Sequence, residues 1–110
     1  MSAPGMTGDD LVQVLAALAS PHRLRVVATL ARERNYVSRL ARELGISRAL
    51  LQVHLRKLEA AGLVSAQLEF SDDGKAMKFY EVNEFVYTLT PQSIAIAAQS
   101  LTSPERVEES

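Results

Sequence analysis

The stretch VSRLARELGISRALLQVHLRKLEAAGLV, Val37 to Val64, decides the fold. Leu40, Ala41 and Leu44 recur at helical spacing, and Gly45 follows, the residue type that tolerates the left-handed backbone closing a helix. Ser47 is then placed to cap a second helix, whose apolar stripe Leu51, Leu55 and Leu58 sits at i, i+4 and i+7 and which Gly62 ends. Helix, glycine turn and capped helix in this order are the pattern of a helix-turn-helix.

Working outward, Leu11, Val14, Leu15 and Leu18 predict a first helix from Asp9 to Ala19, with Asp9 and Asp10 where carboxylates favour an N-terminus. Ser20-Pro21 reads as an N-cap followed by proline at the first helical position, opening a second helix with Leu24, Val27, Ala28 and Ala31 as its expected buried stripe. Beyond Gly62 the period changes from 3.6 to 2. Val64, Ala66, Leu68 and Phe70 alternate with polar residues as in a half-buried strand, Asp72-Asp73-Gly74-Lys75 is turn chemistry, and MKFYEVN (Met77 to Asn83) is the returning strand. Phe70, Phe79, Tyr80 and Val82 are expected in the core. Thr90-Pro91 repeats the Ser20-Pro21 signal and starts a last helix, expected to reach Leu101.

The fold class read from this order is mainly α with a β-hairpin (α+β), a winged helix-turn-helix of order α-α-α-α-β-β-α. Residues 9–102 are expected to form one winged-helix domain, preceded by a flexible N-terminus (1–8) and followed by an acidic disordered tail (103–110). The length of 110 residues fits one core of ordinary size.

The composition narrows the chemistry. There is no cysteine, so disulfides, thiolate metal sites and cysteine nucleophiles are excluded, and His22 and His54 are the only imidazoles. No Gly-rich phosphate loop, ligand cluster or nucleophile–base pair is readable, so an enzyme is not expected, nor is any cofactor or metal. No apolar run approaches a membrane span and the first ten residues lack signal-peptide character, from which a cytoplasmic protein is expected.

The net charge of −1 conceals a segregation. From His22 to Lys57 there are nine basic residues against only Glu33 and Glu43, a net +7, while the remainder of the chain carries −8. Solvated helix faces are the plain explanation of such runs; a basic working surface on an acidic body is the functional one. With Leu51, Leu55 and Leu58 inward, the opposite face of the helix presents Ala49, Gln52, Val53 and Arg56, flanked by Arg48 and Lys57. Gln pairs with adenine, Arg with guanine or phosphate, and small apolar groups meet the thymine methyl, so this face suits double-stranded DNA. Ser47 caps the helix, and the N–H groups exposed beside it suit a phosphate. Arg39, with Arg42, is a candidate for backbone contacts. Lys75 and Lys78 are candidates on the wing, although Asp72 and Asp73 beside them would repel phosphate, and a wing that stays off the DNA is the alternative.

The same stretch resembles the ArsR-type winged-helix transcriptional regulators. Their L-A-x-x-L-G-I-S and H-L-x-x-L-x-x-A-G-L-V segments stand in Val37 to Val64, ALASPHRLRVVATL (Ala17 to Leu30) resembles their preceding helix, and DGKAMKFYEV (Asp73 to Val82) resembles their wing strand. The resemblance implies a DNA-binding transcriptional regulator, by default a repressor, whose helix 47–61 enters the major groove. It implies that the outward face of that helix meets bases and phosphates. Arg23 and Arg25 are open to two readings, contact with the DNA backbone or, as the resemblance implies for an arginine of that helix, support of structure or an interdomain salt bridge. Relatives that sense metal use cysteines in the third helix or Asp/His ligands on the last. VSRLAREL and QSIAIAAQSL hold neither, which points to a branch that does not sense metal.

Leu11, Val14, Leu15 and Leu18 on the first helix, with Ile94, Ala98 and Leu101 on the last, exceed what so small a core can cover, so a two-fold homodimer is expected. Its recognition helices would lie ~34 Å apart, one DNA turn, matching a palindromic operator. A dimer interface of this kind could also hold a small apolar effector, which no residue identifies. The alternative from another class is a winged-helix protein–protein interaction module without operator specificity.

Overall fold

The computed structural model describes residues 6–102. The elements run α1 (Gly8–Leu18), α2 (Pro21–Arg32), β1 (Asn35–Tyr36), α3 (Val37–Leu44), α4 (Arg48–Ala60), β2 (Val64–Phe70), β3 (Ala76–Val82) and α5 (Pro91–Ala98). This is an α+β winged helix-turn-helix. The tail at 103–110 and residues 1–5 of the expected flexible start lie outside the described residues.

Local chemistry sets the helix ends. Thr7 and Asp10 form a reciprocal capping box, so α1 starts at Gly8, one residue earlier than predicted and inside the segment expected to be flexible. Ser20 caps α2 with Pro21 behind it, Ser47 accepts from the Leu50 N–H at 3.0 Å, and Thr90 and Ser93 box the start of α5. Gly45 closes α3 with φ 70°, in the left-handed region, its N–H bonding back to Ala41 and Arg42 carbonyls. The last helix stops at Ala98, short of the expected Leu101, because the main chain tightens into turn bonds from Gln99, Ser100 and Leu101 back to Ile96, Ala97 and Ala98.

The sheet has the order β1-β3-β2 and is antiparallel throughout. β2 and β3 pair from Val64 opposite Val82 to Phe70 opposite Ala76, and Asn35 and Tyr36 pair with Tyr80 and Phe79. Strand β1 was not predicted. At two residues it is too short to show a period, yet it seats Asn35 in the core and sets the Tyr36 ring edge-on to Phe79, 5.5 Å between centroids.

The core gathers Val14 and Ala17 of α1, Val26 and Leu30 of α2, Leu40 and Ala41 of α3, Leu51, Leu55 and Leu58 of α4, then Leu63, Val64 and Tyr80. The α3 and α4 stripes and Tyr80 match expectation. The α2 stripe does not: Leu24, Ala28 and Ala31 face solvent, and Val26 and Leu30 are buried with Val27 partly so. α2 carries apolar residues on more than one side, so helical spacing alone admits either rotation. Phe70 is a second correction, 70% exposed, with Leu68 at 58%. The alternation of β2 continues to Phe70, but the hairpin outruns the helices that would cover its end. Val82 and Phe79 are only partly buried.

Candidate nucleic-acid interface

Because Leu51, Leu55 and Leu58 anchor α4 in the core, its other side is turned outward. Arg48, Ala49, Val53, Arg56 and Lys57 are exposed there, and Gln52 is half-buried. Between α4, the start of α3 and strand β3 lies an open cleft of about 350 Å³, into which Arg48, Gln52 and Lys78 converge with Tyr36, Val37, Ser38, Ala76 and Met77. No carboxylate lines it. Three predicted residues from two distant segments thus meet in one place, together with Tyr36 and Ser38, which the sequence reading did not single out. The signal for those two was the junction of β1 with α3, invisible without β1.

The other candidates are placed less centrally. Ser47 is occupied as the cap of α4. Arg39 is exposed on α3, but its guanidinium lies 3.1 Å from Glu33 and 3.2 Å from Glu43, so the two acidic residues of the basic segment offset its charge. Lys75 sits in the hairpin turn. There the Asp73 carboxylate accepts from the Ser71 hydroxyl and the Lys75 N–H, which hold its pKa below the usual carboxylate range, so Asp73 serves the turn. The Lys78 ammonium lies 5.5 Å from the Tyr80 ring centroid.

Arg23 has a structural position. From α2 its Nε–H donates to the Ala17 carbonyl at 2.6 Å and Nη2 to that of Ala16 at 3.4 Å, both in α1, while Nη1 donates to Nδ1 of buried His54 on α4 at 3.1 Å. Of the two readings open for Arg23, the geometry is that of a structural tie. His22, without a partner in sequence, stacks against His54 with centroids 5.2 Å apart.

The residues expected at a dimer interface divide. Val14 is 3% exposed and belongs to the chain's own core, because α2 and α4 pack against that side of α1. Leu11 and Leu18 are partly buried, whereas Leu15, Ile94, Ala98 and Leu101 face outward. Val12 and Ile96, not among the expected set, are exposed as well. α5 seats on α1 through close backbone approach: the Gly8 N–H donates to Ser100 Oγ at 2.8 Å, and Thr102 donates to Asp9. Among the described residues no group of three or more His, Asp or Glu could hold a metal ion, and no helix is long and apolar enough to cross a membrane.

An uncharacterized HTH-type transcriptional regulator of Methanocaldococcus jannaschii is 33% identical over 85 residues, which are 77% of this chain and 88% of that protein. Residues 20–66, which hold α2 to the start of β2, match the family described as bacterial regulatory protein, arsR family. This chain belongs to the arsR family. As an arsR-family protein it is a DNA-binding regulator of transcription and not an enzyme. Solved structures agree in fold. The homodimeric winged helix-turn-helix DNA-binding domain of Mycobacterium bovis superposes with a TM-score of 0.62 at 24% identity, over 83% of this chain and 74% of that one. The transcriptional repressor BigR of Xylella fastidiosa gives 0.58 at 26% identity, over 83% and 78%. The arsR-family match ends at residue 66 and so does not reach most of the hairpin or α5.

Proposed function

We propose that this arsR-family regulator works as a homodimer that reads a palindromic operator by placing α4 of each subunit in the major groove. The observation that carries the reading is the convergence of Arg48 and Gln52 of α4 with Lys78 of the hairpin around a cleft free of carboxylates. Gln52 and Arg56, with Ala49 and Val53 beside them, supply groups for base edges, while Arg48, Lys57 and Lys78 suit phosphates. The free N-terminal amides beside Ser47 add to the phosphate set. Lys75 and Arg39 are peripheral members, Arg39 with its charge already shared.

The subunit interface is assigned to the outer sides of α1 and α5, where Leu11, Leu15, Leu18, Ile94, Ile96, Ala98 and Leu101 leave apolar surface that the core does not cover. The M. bovis domain, homodimeric in its own structure, supports dimerisation as such. Occlusion of a promoter is the simplest consequence of such binding, and BigR, with a similar fold, is a transcriptional repressor. Selection of bound sequences from a random duplex pool tests the proposal. Enrichment of a palindrome with half-site centres about one helical turn apart is expected; recovery of no consensus, or of a single unrepeated half-site, would contradict it.

A further inference from the structure

Arg23 connects three helices at one point. Its guanidinium binds the last-turn carbonyls of α1, at Ala16 and Ala17, and the imidazole of His54 on α4. An arginine only donates, so His54 Nδ1 must be the acceptor, which places the ring proton on Nε2. That Nε2–H is buried with no acceptor. The ring is therefore held as one neutral tautomer by one bond, at the cost of leaving its other nitrogen unsatisfied.

The surroundings disfavour a second proton. His54 is 8% exposed. The charged and titratable groups acting on it are Arg23 and His22 from α2 and Lys57 from its own helix, all cationic or able to become so, while α1 supplies only main-chain carbonyls to the node. The parts of α3 and β2 in the same core are Leu40, Ala41 and Val64, which carry no charge. Burial first, then Arg23, His22 and Lys57, push the His54 pKa below its ordinary 6.5. A proton forced onto Nδ1 would turn the acceptor into a donor facing a guanidinium, and the tie would part.

We propose that Arg23 and His54 are positioning residues that fix the recognition helix α4 against the dimer helix α1, and that protonating His54 releases this tie and weakens operator binding. The inference rests on the proposed dimeric DNA reading, because two recognition helices engage one duplex only if each is held at a set angle to the helix that joins the subunits. A complex that requires the neutral ring loses affinity by up to about tenfold per His54, and so up to about a hundredfold for a dimer that needs both rings neutral, for each pH unit below the free protein's His54 pKa.

The test is operator affinity, read by fluorescence anisotropy on the selected duplex from about pH 8 to about pH 5.5, for the unaltered chain, His54→Gln and His22→Gln. Gln keeps an acceptor for Arg23 but does not titrate. The unaltered chain and His22→Gln should both lose affinity as pH falls through the depressed His54 pKa, His22→Gln from a slightly higher pH because the His22 ring no longer disfavours the second proton, and His54→Gln should hold a flat profile. A His54→Gln profile that falls in parallel with the unaltered chain would overturn the proposal while leaving the DNA reading intact. Absence of specific binding by the unaltered chain at pH 8 would overturn both. Should His54→Gln fail to fold, NMR titration of the native ring decides: its pKa should drop on binding the duplex, and an equal value free and bound would refute the tie.

Discussion

The Arg34 guanidinium, in the short link between α2 and β1, grips the Glu69 carboxylate on β2 with both of its terminal nitrogens, one at 2.9 Å, while its carbon lies 4.5 Å from the Phe79 ring centroid on β3. One side chain thus braces the hairpin from the body, on the sheet face away from Leu68 and Lys78. Each partner's hydrogen bond favours its charged form, raising the Arg34 pKa and lowering that of Glu69. Because Glu69 is held below its ordinary 4.5, the pair persists from neutral pH down through that value and is lost only as pH falls through the depressed one. Both side chains are solvent-exposed, so Arg34→Ala should leave the unfolding midpoint almost unchanged. Amide exchange along β2 and β3 should nevertheless quicken, as measured by hydrogen–deuterium exchange.

Gly8 is where α1 and α5 meet most closely. A Cβ there would stand 2.4 Å from the Ala97 carbonyl oxygen and 2.7 Å from Leu101 Cγ. Backbone cannot yield as a side-chain tip can, so Gly8→Ala should cost about 1–3 kcal/mol in urea unfolding and displace α5. Since α5 forms part of the proposed subunit interface, sedimentation should show weaker dimerisation too.

Leu55 is fully buried on the inner side of α4. Leu55→Ala removes packing from beneath the recognition helix and should cost about 2–5 kcal/mol in denaturant unfolding. Phe70→Ser, by contrast, removes a ring that covers almost nothing in the monomer and should change stability by no more than about 0.5 kcal/mol.

The contrast between Leu55 and Phe70 shows which parts of the fold are legible in the sequence. Leu51, Leu55 and Leu58 lie on a helix with one apolar stripe and two capping signals, so pattern and burial agree. Phe70 carries the same period-2 signal as Val64, but periodicity reports which way a side chain points and not whether anything lies opposite it. Leu24, Ala28 and Ala31 failed for a related reason: α2 offers two apolar sides, and the choice is made by α1, α4 and the sheet. Asn35 and Tyr36 were out of reach because a two-residue strand has no period. Within the candidate site, Arg48 and Gln52 followed from the helical wheel, while their meeting with Lys78 depends on hairpin register. The role of Arg23 depends on His54, 31 positions away.

Whether the outer side of α4 reads DNA is decided by the affinity of Arg48→Ala and Arg56→Ala for the selected duplex across a salt series. A base contact should cost about 1–3 kcal/mol and relax preference at one position, and a phosphate contact should weaken all sequences alike and reduce the salt slope by about 1. Affinity and salt slope unchanged by both substitutions, in protein that remains folded, would contradict that reading.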